Sequence, residues 1–228
     1  MKQNYEYRRE AKDIMDGRYG KVIITHILLA IIAGLPSGIG QTFEPKYEVI
    51  SWVPFERILV EAGNPALVQF FNLISFILTA IISYAIVSMY ISITKNNTES
   101  SIESVIKVGF VEQPVRSVIH SFIVTVFTFL WALLLVIPGI MAIYKYAMGF
   151  YILNKESNIS AYDAVVKSKE LMMGNRMKLF MLDMSYLVWY LIGILTFGIL
   201  WLWIFPKHMT ARILFFNDLY PVERVSEV

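Results

Sequence analysis

The chain has 228 residues, 57% of them hydrophobic and 17% charged, with a net charge of +2 and no cysteine. Soluble domains carry roughly 45–50% apolar and about 25% charged residues, so disorder, a disulfide scaffold and an ordinary cytosolic enzyme are excluded. Without cysteine there is no thiolate metal site and no cysteine nucleophile, and so small a net charge makes no overall case for nucleic acid.

In chain order, residues 1–21 are polar and basic, and no A-x-A-like site follows them, so a signal peptide is not expected. The first apolar span runs from Val22 to about Gly40. An outer loop, 41–65, shows no recognisable pattern. The second span is Ala66 to Ile93 and the third Ser117 to Ile137. Pro138-Gly139 interrupts the apolar text, and a fourth span follows from Ile140 to about Leu153. The fifth runs from Leu179 to Leu195. Thr196-Phe197-Gly198 reads as a tight turn before a sixth, Ile199 to about Phe216. A bilayer-crossing helix needs roughly 20 residues. Ser117–Leu153 and Leu179–Phe216 are each about twice too long, so each is read as a hairpin rather than as one kinked helix plus a re-entrant segment.

The expected fold is all-α: one polytopic membrane domain with six transmembrane helices as three hairpins. Its parts are the basic segment 1–21, a first hairpin over 22–94, a second helix–hairpin unit over 95–153, and a third over 154–228 with a short tail. Lys and Arg crowd the N-terminal segment (Lys2, Arg8, Arg9, Lys12, Arg18, Lys21). They recur between spans two and three (Lys95, Lys107, Arg116) and between four and five (Lys155, Lys167, Lys169, Arg176, Lys178). The outer loop holds only Lys46 and Arg57, and the hairpin turns none. The positive-inside bias therefore places both termini in the cytoplasm. The triplets Asn96-Asn97-Thr98 and Asn158-Ile159-Ser160 then fall inside the cell and read as chance.

Lys12-Asp13-Ile14-Met15-Asp16-Gly17 and Lys169-Glu170-Leu171-Met172-Met173-Gly174 match at one constant offset, and each is followed by x-x-x-Lys. Phe150-Tyr151-Ile152-Leu153-Asn154 similarly echoes Ile213-Leu214-Phe215-Phe216-Asn217. Three parallel copies of an amphipathic helix plus hairpin explain this economically, with 98–111 as the weakly matching middle helix. In 160–173, Ser160 offers an N-cap, Asp163 an acid in the first turn and Gly174 the stop. Lys167, Lys169, Arg176 and Lys178 would then lie near anionic lipid headgroups. The helix reads either as a strut that sets the entry angle of span five or as a lipid or partner sensor.

The stretches Leu134-Leu135-Val136-Ile137-Pro138-Gly139-Ile140, Tyr146-Ala147-Met148, Ala164 to Gly174, Lys178-Leu179-Phe180, Trp189-Tyr190-Leu191, Thr196-Phe197-Gly198-Ile199 and Trp203-Ile204-Phe205-Pro206 resemble a bacterial integral membrane family, domain of unknown function 975. The Arg8-Arg9-Glu10-Ala11-Lys12 opening is also similar. The resemblance implies a polytopic plasma-membrane protein, chiefly of Gram-positive bacteria. It implies no substrate, reaction or catalytic residue.

No catalytic signature appears. His26, His120 and His208 lie on three different spans, and none has an acid or second His at i+3 or i+4. No zinc, P-loop, G-x-G-x-x-G or G-x-S-x-G pattern exists. No catalytic residue, metal or cofactor is expected. The better signal is charge inside spans, each costing several kcal/mol unless paired or hydrated. Counted along the helices from the turns, Lys145 lies roughly 9 Å inward, Lys207 roughly 13 Å, Arg212 roughly 21 Å and Asp183 roughly 22 Å on the facing arm. Asp183 and Arg212 are therefore candidates for a structural ion pair, against snorkelling of Arg212. Lys145 and Lys207 lack an evident acid. Tyr144, Tyr146 and His208 offer polar atoms near them, so the five together are candidate ligand-binding residues in a wet cavity. The competing reading is lysines satisfied by water or backbone. In span two, Ser75, Thr79 and Ser83 form a small polar stripe, read as helix packing before a substrate path.

The expected function is a non-enzymatic scaffold or accessory subunit acting through lipid or protein partners. The alternative is a carrier or binding protein for an anionic or amphipathic molecule near Lys145 and Lys207.

Overall fold

Ten α-helices and one antiparallel strand pair make up the described residues of the computed structural model, which are 2–49, 57–61, 63–95, 102–134 and 136–220. The chain falls into two units. One is Met1–Thr25 with Ile81–Val228, the other His26–Ala80.

Within His26–Ala80, α2 (Tyr19–Gln41) and α3 (Pro65–Thr94) meet where Ser75 Oγ donates to the Ala33 carbonyl at 2.6 Å. Ser75 thus serves packing, as its stripe led us to expect. The loop between them is not patternless: β1 (Lys46–Val49) pairs antiparallel with β2 (Arg57–Glu61), Val49 opposite Arg57. This short pair adds to the loop, and the all-α class stands. Strands of four and five residues are too short for alternation to stand out against charged neighbours.

The larger unit opens with α1 (Asn4–Met15), whose Glu6 carboxylate accepts from the Gln3 N–H at 2.6 Å. Gly17 then turns the chain into α2 at φ +72°. The same corner recurs between α8 (Ala161–Leu171) and α9 (Arg176–Leu195), where Gly174 has φ +78°. Only glycine adopts this left-handed region without a Cβ penalty. Burial repeats as well: Tyr7, Ala11 and Met15 before the first glycine, and Ala164, Ser168 and Met172 before the second, are all buried at matching offsets. Ser160 caps α8 as expected, accepting from the Asp163 N–H at 3.0 Å.

Each short helix leans on a different partner. Tyr7 of α1 packs on Phe215 of α10 (Trp201–Leu219) and donates to Asp218 at 2.8 Å. Residues 98–101 of the weak middle copy lie outside the described residues; after them come α4 (Ile102–Lys107) and a π-helical turn, Val108–Glu112. There Gly109 comes so close to α3 that a Cβ would sit 2.9 Å from the Ala85 Cβ. α8 packs on α5 (Pro114–Leu134) and α7 (Gly149–Lys155).

The first predicted turn is displaced. Pro138-Gly139 is not the reversal but lies inside α6 (Val136–Lys145). The chain has already turned back, since a Cβ on Gly139 would meet the Ala132 Cα at 3.0 Å, whereas seven residues of unbroken helix span about 10 Å. Proline belongs in a helix's first turn, where its missing N–H would go unused anyway. The helix expected over 140–153 is also broken: α6 ends at Lys145 and α7 begins at Gly149. Ser168 of α8 bridges the break, accepting from the Met148 N–H at 3.1 Å and donating to the Lys145 carbonyl at 3.2 Å.

The second predicted turn stands. Thr196 ends α9, the Gly198 N–H reaches back to the Gly193 carbonyl at 2.9 Å and the Phe197 N–H to Ile194 at 3.1 Å. This is a Schellman closure, with Phe197 itself at φ +51°. Trp201 Nε1 donates to the Tyr190 carbonyl at 2.9 Å across Gly193, where a Cβ would lie 2.1 Å from that nitrogen.

The core of this unit sits where α3, α7 and α10 end. Tyr90, Ile93, Tyr151, Ile152, Leu153, Ile213 and Phe215 are each no more than 1% exposed. A hydrogen-bond chain links the three: Tyr151 Oη donates to Asn217 Oδ1 at 2.6 Å, and Asn217 Nδ2 to Thr94 Oγ1 at 3.5 Å. Helices α2, α3, α5 and α9 are long and apolar enough to cross a membrane. Their outward apolar faces, Phe122, Phe129, Val188 and Ile194 among them, stay exposed, as lipid-facing surfaces do.

Candidate functional site

Asp183 and Arg212, the candidate ion pair, face each other across α9 and α10, but the chief partner of Asp183 is a different residue. Asp183 on α9 lies 3.8 Å from Arg212 Nε and only 2.7 Å from His208 Nε2, both on α10. His208 is one helical turn before Arg212 and shares its face. The Tyr144 hydroxyl also lies beside Asp183. With the carboxylate accepting from Nε2–H, His208 offers Nδ1 to the Tyr190 hydroxyl at 3.0 Å, and Tyr186 stacks on its ring at 4.6 Å. A carboxylate-oriented imidazole is half of a proton relay. Here its second nitrogen is taken by a phenol, and the Ser185 hydroxyl goes to the Leu182 carbonyl. The arrangement ties α9 to α10. Among the described residues no cluster of His, Asp or Glu could hold a metal.

The structure does not bring the two candidate lysines together. Lys145 Nζ stands over Trp131 at 4.7 Å and over Tyr146 at 5.3 Å, so two aromatic faces stabilise the cation. Lys207 Nζ lies 5.5 Å over Tyr19. Lys207 lines a groove of about 480 Å³ between α1, α9 and α10, which Lys145 does not line. Arg8, Arg9 and Lys12 of α1 line the same groove, opposite Tyr186, Trp189, Trp203 and Ile204. Arg8 also donates to the Ser185 carbonyl at 3.2 Å. Nothing local connects α1 to α10. In the sequence Arg8, Arg9 and Lys12 served orientation, the repeat and the family resemblance, none of which points to a groove.

A second cavity, about 290 Å³, lies among α5, α6, α7 and α10, lined by His120, Ser121, Thr125, Thr128 and Arg212. Both ring nitrogens of His120 are buried without a hydrogen bond. The ring sits against Gly149, where a Cβ would be 1.8 Å from Nε2, and on Phe150 at 4.6 Å.

Of the four cations assigned to headgroups, Lys167 is engaged instead. Its ammonium bonds Glu156 at 2.6 Å and the Tyr220 hydroxyl at 2.8 Å. Burial alone would lower its pKa, but these partners outweigh it and the net shift is upward. Lys169 is exposed, and Lys178 bonds Asn175 at 3.1 Å. Arg116 holds the loop beneath them through the carbonyls of Glu156, Ser157 and Ile159.

Residues 122–222 match the family described as Protein of unknown function (DUF975). The match carries the resemblance of the C-terminal half and takes in Lys145, Asp183, Lys207, His208 and Arg212, but not Arg8, Arg9 or Lys12. No curated protein and no solved structure matches the chain.

Proposed function

We propose that this is a non-enzymatic, six-span protein of the bacterial plasma membrane, both termini cytoplasmic, serving as a scaffold or accessory subunit through lipid or protein partners. The observation that carries this reading is the closed core in which Tyr151, Asn217 and Thr94 tie α7, α10 and α3 together. A carrier has to part its inner helices to expose a central site, and side chains buried to about 1% oppose that. The recurring helix–glycine–helix corner supports three parallel units. In that arrangement α8 lies on the cytoplasmic side, with Lys169, Arg176 and Lys178 toward anionic headgroups.

Hydrogen exchange in nanodiscs tests the closed core. Uniformly slow exchange is expected over 148–153 and 210–216; two exchanging populations there would signal a carrier's opening and overturn the scaffold. Topology is tested in this cysteine-free chain with Phe197→Cys and Lys169→Cys. An impermeant maleimide should label the first on intact cells and the second only after lysis; the reverse pattern inverts the orientation. A binding role is favoured by one observation, the cationic groove around Lys207.

A further inference from the structure

Four cations, Arg8, Arg9, Lys12 and Lys207, border one groove, and among the described residues no carboxylate pairs with any of them. Of the acids around them, Glu10 pairs with Lys2 at 2.6 Å, Asp218 accepts from Tyr7 at 2.8 Å, Asp183 meets His208 at 2.7 Å and Glu6 accepts from the Gln3 N–H at 2.6 Å. Asp13 and Asp16 stand one turn along from Arg9 and Lys12, but no acid lines the groove itself, so its charged wall is cationic. The other wall is apolar and aromatic. Trp189 and Trp203 are about half exposed and continue onto the outer surface of the α9–α10 pair, beside exposed Val188 and Leu202. One end of the groove therefore suits an anion, and the other opens on a surface suited to hydrocarbon.

We infer that this groove binds an anionic, phosphate-bearing membrane lipid, its headgroup among Arg8, Arg9, Lys12 and Lys207 and its chains along Trp189 and Trp203. Guanidinium forks match phosphate oxygens in pairs, and Lys207 adds a point charge. A volume of about 480 Å³ accommodates a headgroup with its first methylenes, within the roughly 300–1,000 Å³ of ligand sites. Arg8 keeps its bond to the Ser185 carbonyl, which fixes its position before the lipid arrives. The inference rests on the proposed membrane role, and goes beyond it by naming the ligand class and the residues.

The test is native mass spectrometry of the detergent-solubilised full chain, titrated with dioleoyl phosphatidate or dioleoyl phosphatidylcholine. One saturable phosphatidate adduct is expected, with phosphatidylcholine binding at least about tenfold weaker. Arg9→Gln with Lys12→Gln changes two exposed side chains, so folding should be unaffected, and should weaken phosphatidate about thirtyfold. Lys207→Met should weaken it in the same direction. Millimolar inorganic phosphate should not displace the lipid. Equal binding of the two lipids, or unchanged binding by the double variant, overturns the site. Displacement by phosphate shows an ion site and overturns the lipid assignment. Loss of the lipid site with maleimide labelling of Phe197→Cys intact would leave the membrane role standing.

Discussion

The corners at Gly17 and Gly174 share a backbone and differ in what their helices hold. Before Gly174, α8 leaves Lys169 exposed but sets Lys167 between Glu156 and Tyr220 and joins α6 to α7 through Ser168. Before Gly17, α1 leaves Arg9 and Lys12 without a carboxylate and turns them to a groove. After the corners, α9 carries Asp183 where α2 carries His26 at the matching position. One scaffold element thus supports two chemistries. The left-handed glycine sets the angle, and the residues around it decide whether the helix closes a core or presents charge.

The largest effect should come from Asp183. Asp183→Leu strands Arg212 and His208 in a half-buried site and should cost about 3–5 kcal/mol, read as unfolding in detergent. Adding Arg212→Gln should recover part of the loss. His26→Leu should cost less; equal losses would erase the distinction between α9 and α2.

Next comes Ser168→Ala, which leaves the Met148 N–H and the Lys145 carbonyl without the hydroxyl they share. A buried group left unsatisfied costs about 1–3 kcal/mol. Ala11→Ser at the matching position of α1 mends no break and should gain nothing. A gain there would show a hidden joint in the first unit.

Gly17→Ala and Gly174→Ala should each cost about 1 kcal/mol. Neither Cβ would meet any atom within 4 Å, so the penalty is backbone conformation alone and should be the same at both. Unequal costs would mean the corners are not one element.

The smallest effect is a pH dependence beside α8. Lys155 Nζ is buried and has no hydrogen bond among the described residues, and burial, with repulsion from Lys95, lowers its pKa from 10.5 to about 8. The folded protein therefore binds fewer protons than the unfolded chain between about pH 8 and 10.5. Stability should rise through that window. Lys155→Met should be more stable at pH 7 and should flatten the rise. Lys167 has the opposite shift: its contribution is whole below about pH 10.5 and is lost above it, so Lys167→Met should lower stability at pH 7 and remove the fall above about pH 10.5.

Much of this was legible because it is local. The Gly174 stop, the Ser160 cap and the Phe197-Gly198 turn each depend on a few neighbouring residues. Pro138-Gly139 misled because proline marks the start of a helix as readily as a turn, which displaced the reversal by a few residues. Depth along two arms of one hairpin placed Asp183 and Arg212 together. It missed His208, although one turn of helix separates His208 from Arg212 and whatever faces Asp183 brings both. The groove was beyond reach: α1 and α10 lie at opposite ends of the chain, and no periodicity records which helix a neighbour leans on. Lys145 and Lys207 were paired by depth alone, which says nothing of the direction around the helix axis.

The Ser168 bridge also sets an order in time. Lys145 and Met148 leave the ribosome more than a turn of α8 ahead of the hydroxyl that joins them, since Ser168 follows Lys145 by 23 residues. At about 5–20 residues per second that is an interval of about 1–5 s. During it α6 and α7 are two unjoined rods. Their joint is provisional until α8 emerges, so it is synthesis itself, rather than the finished fold, that decides when the two are committed.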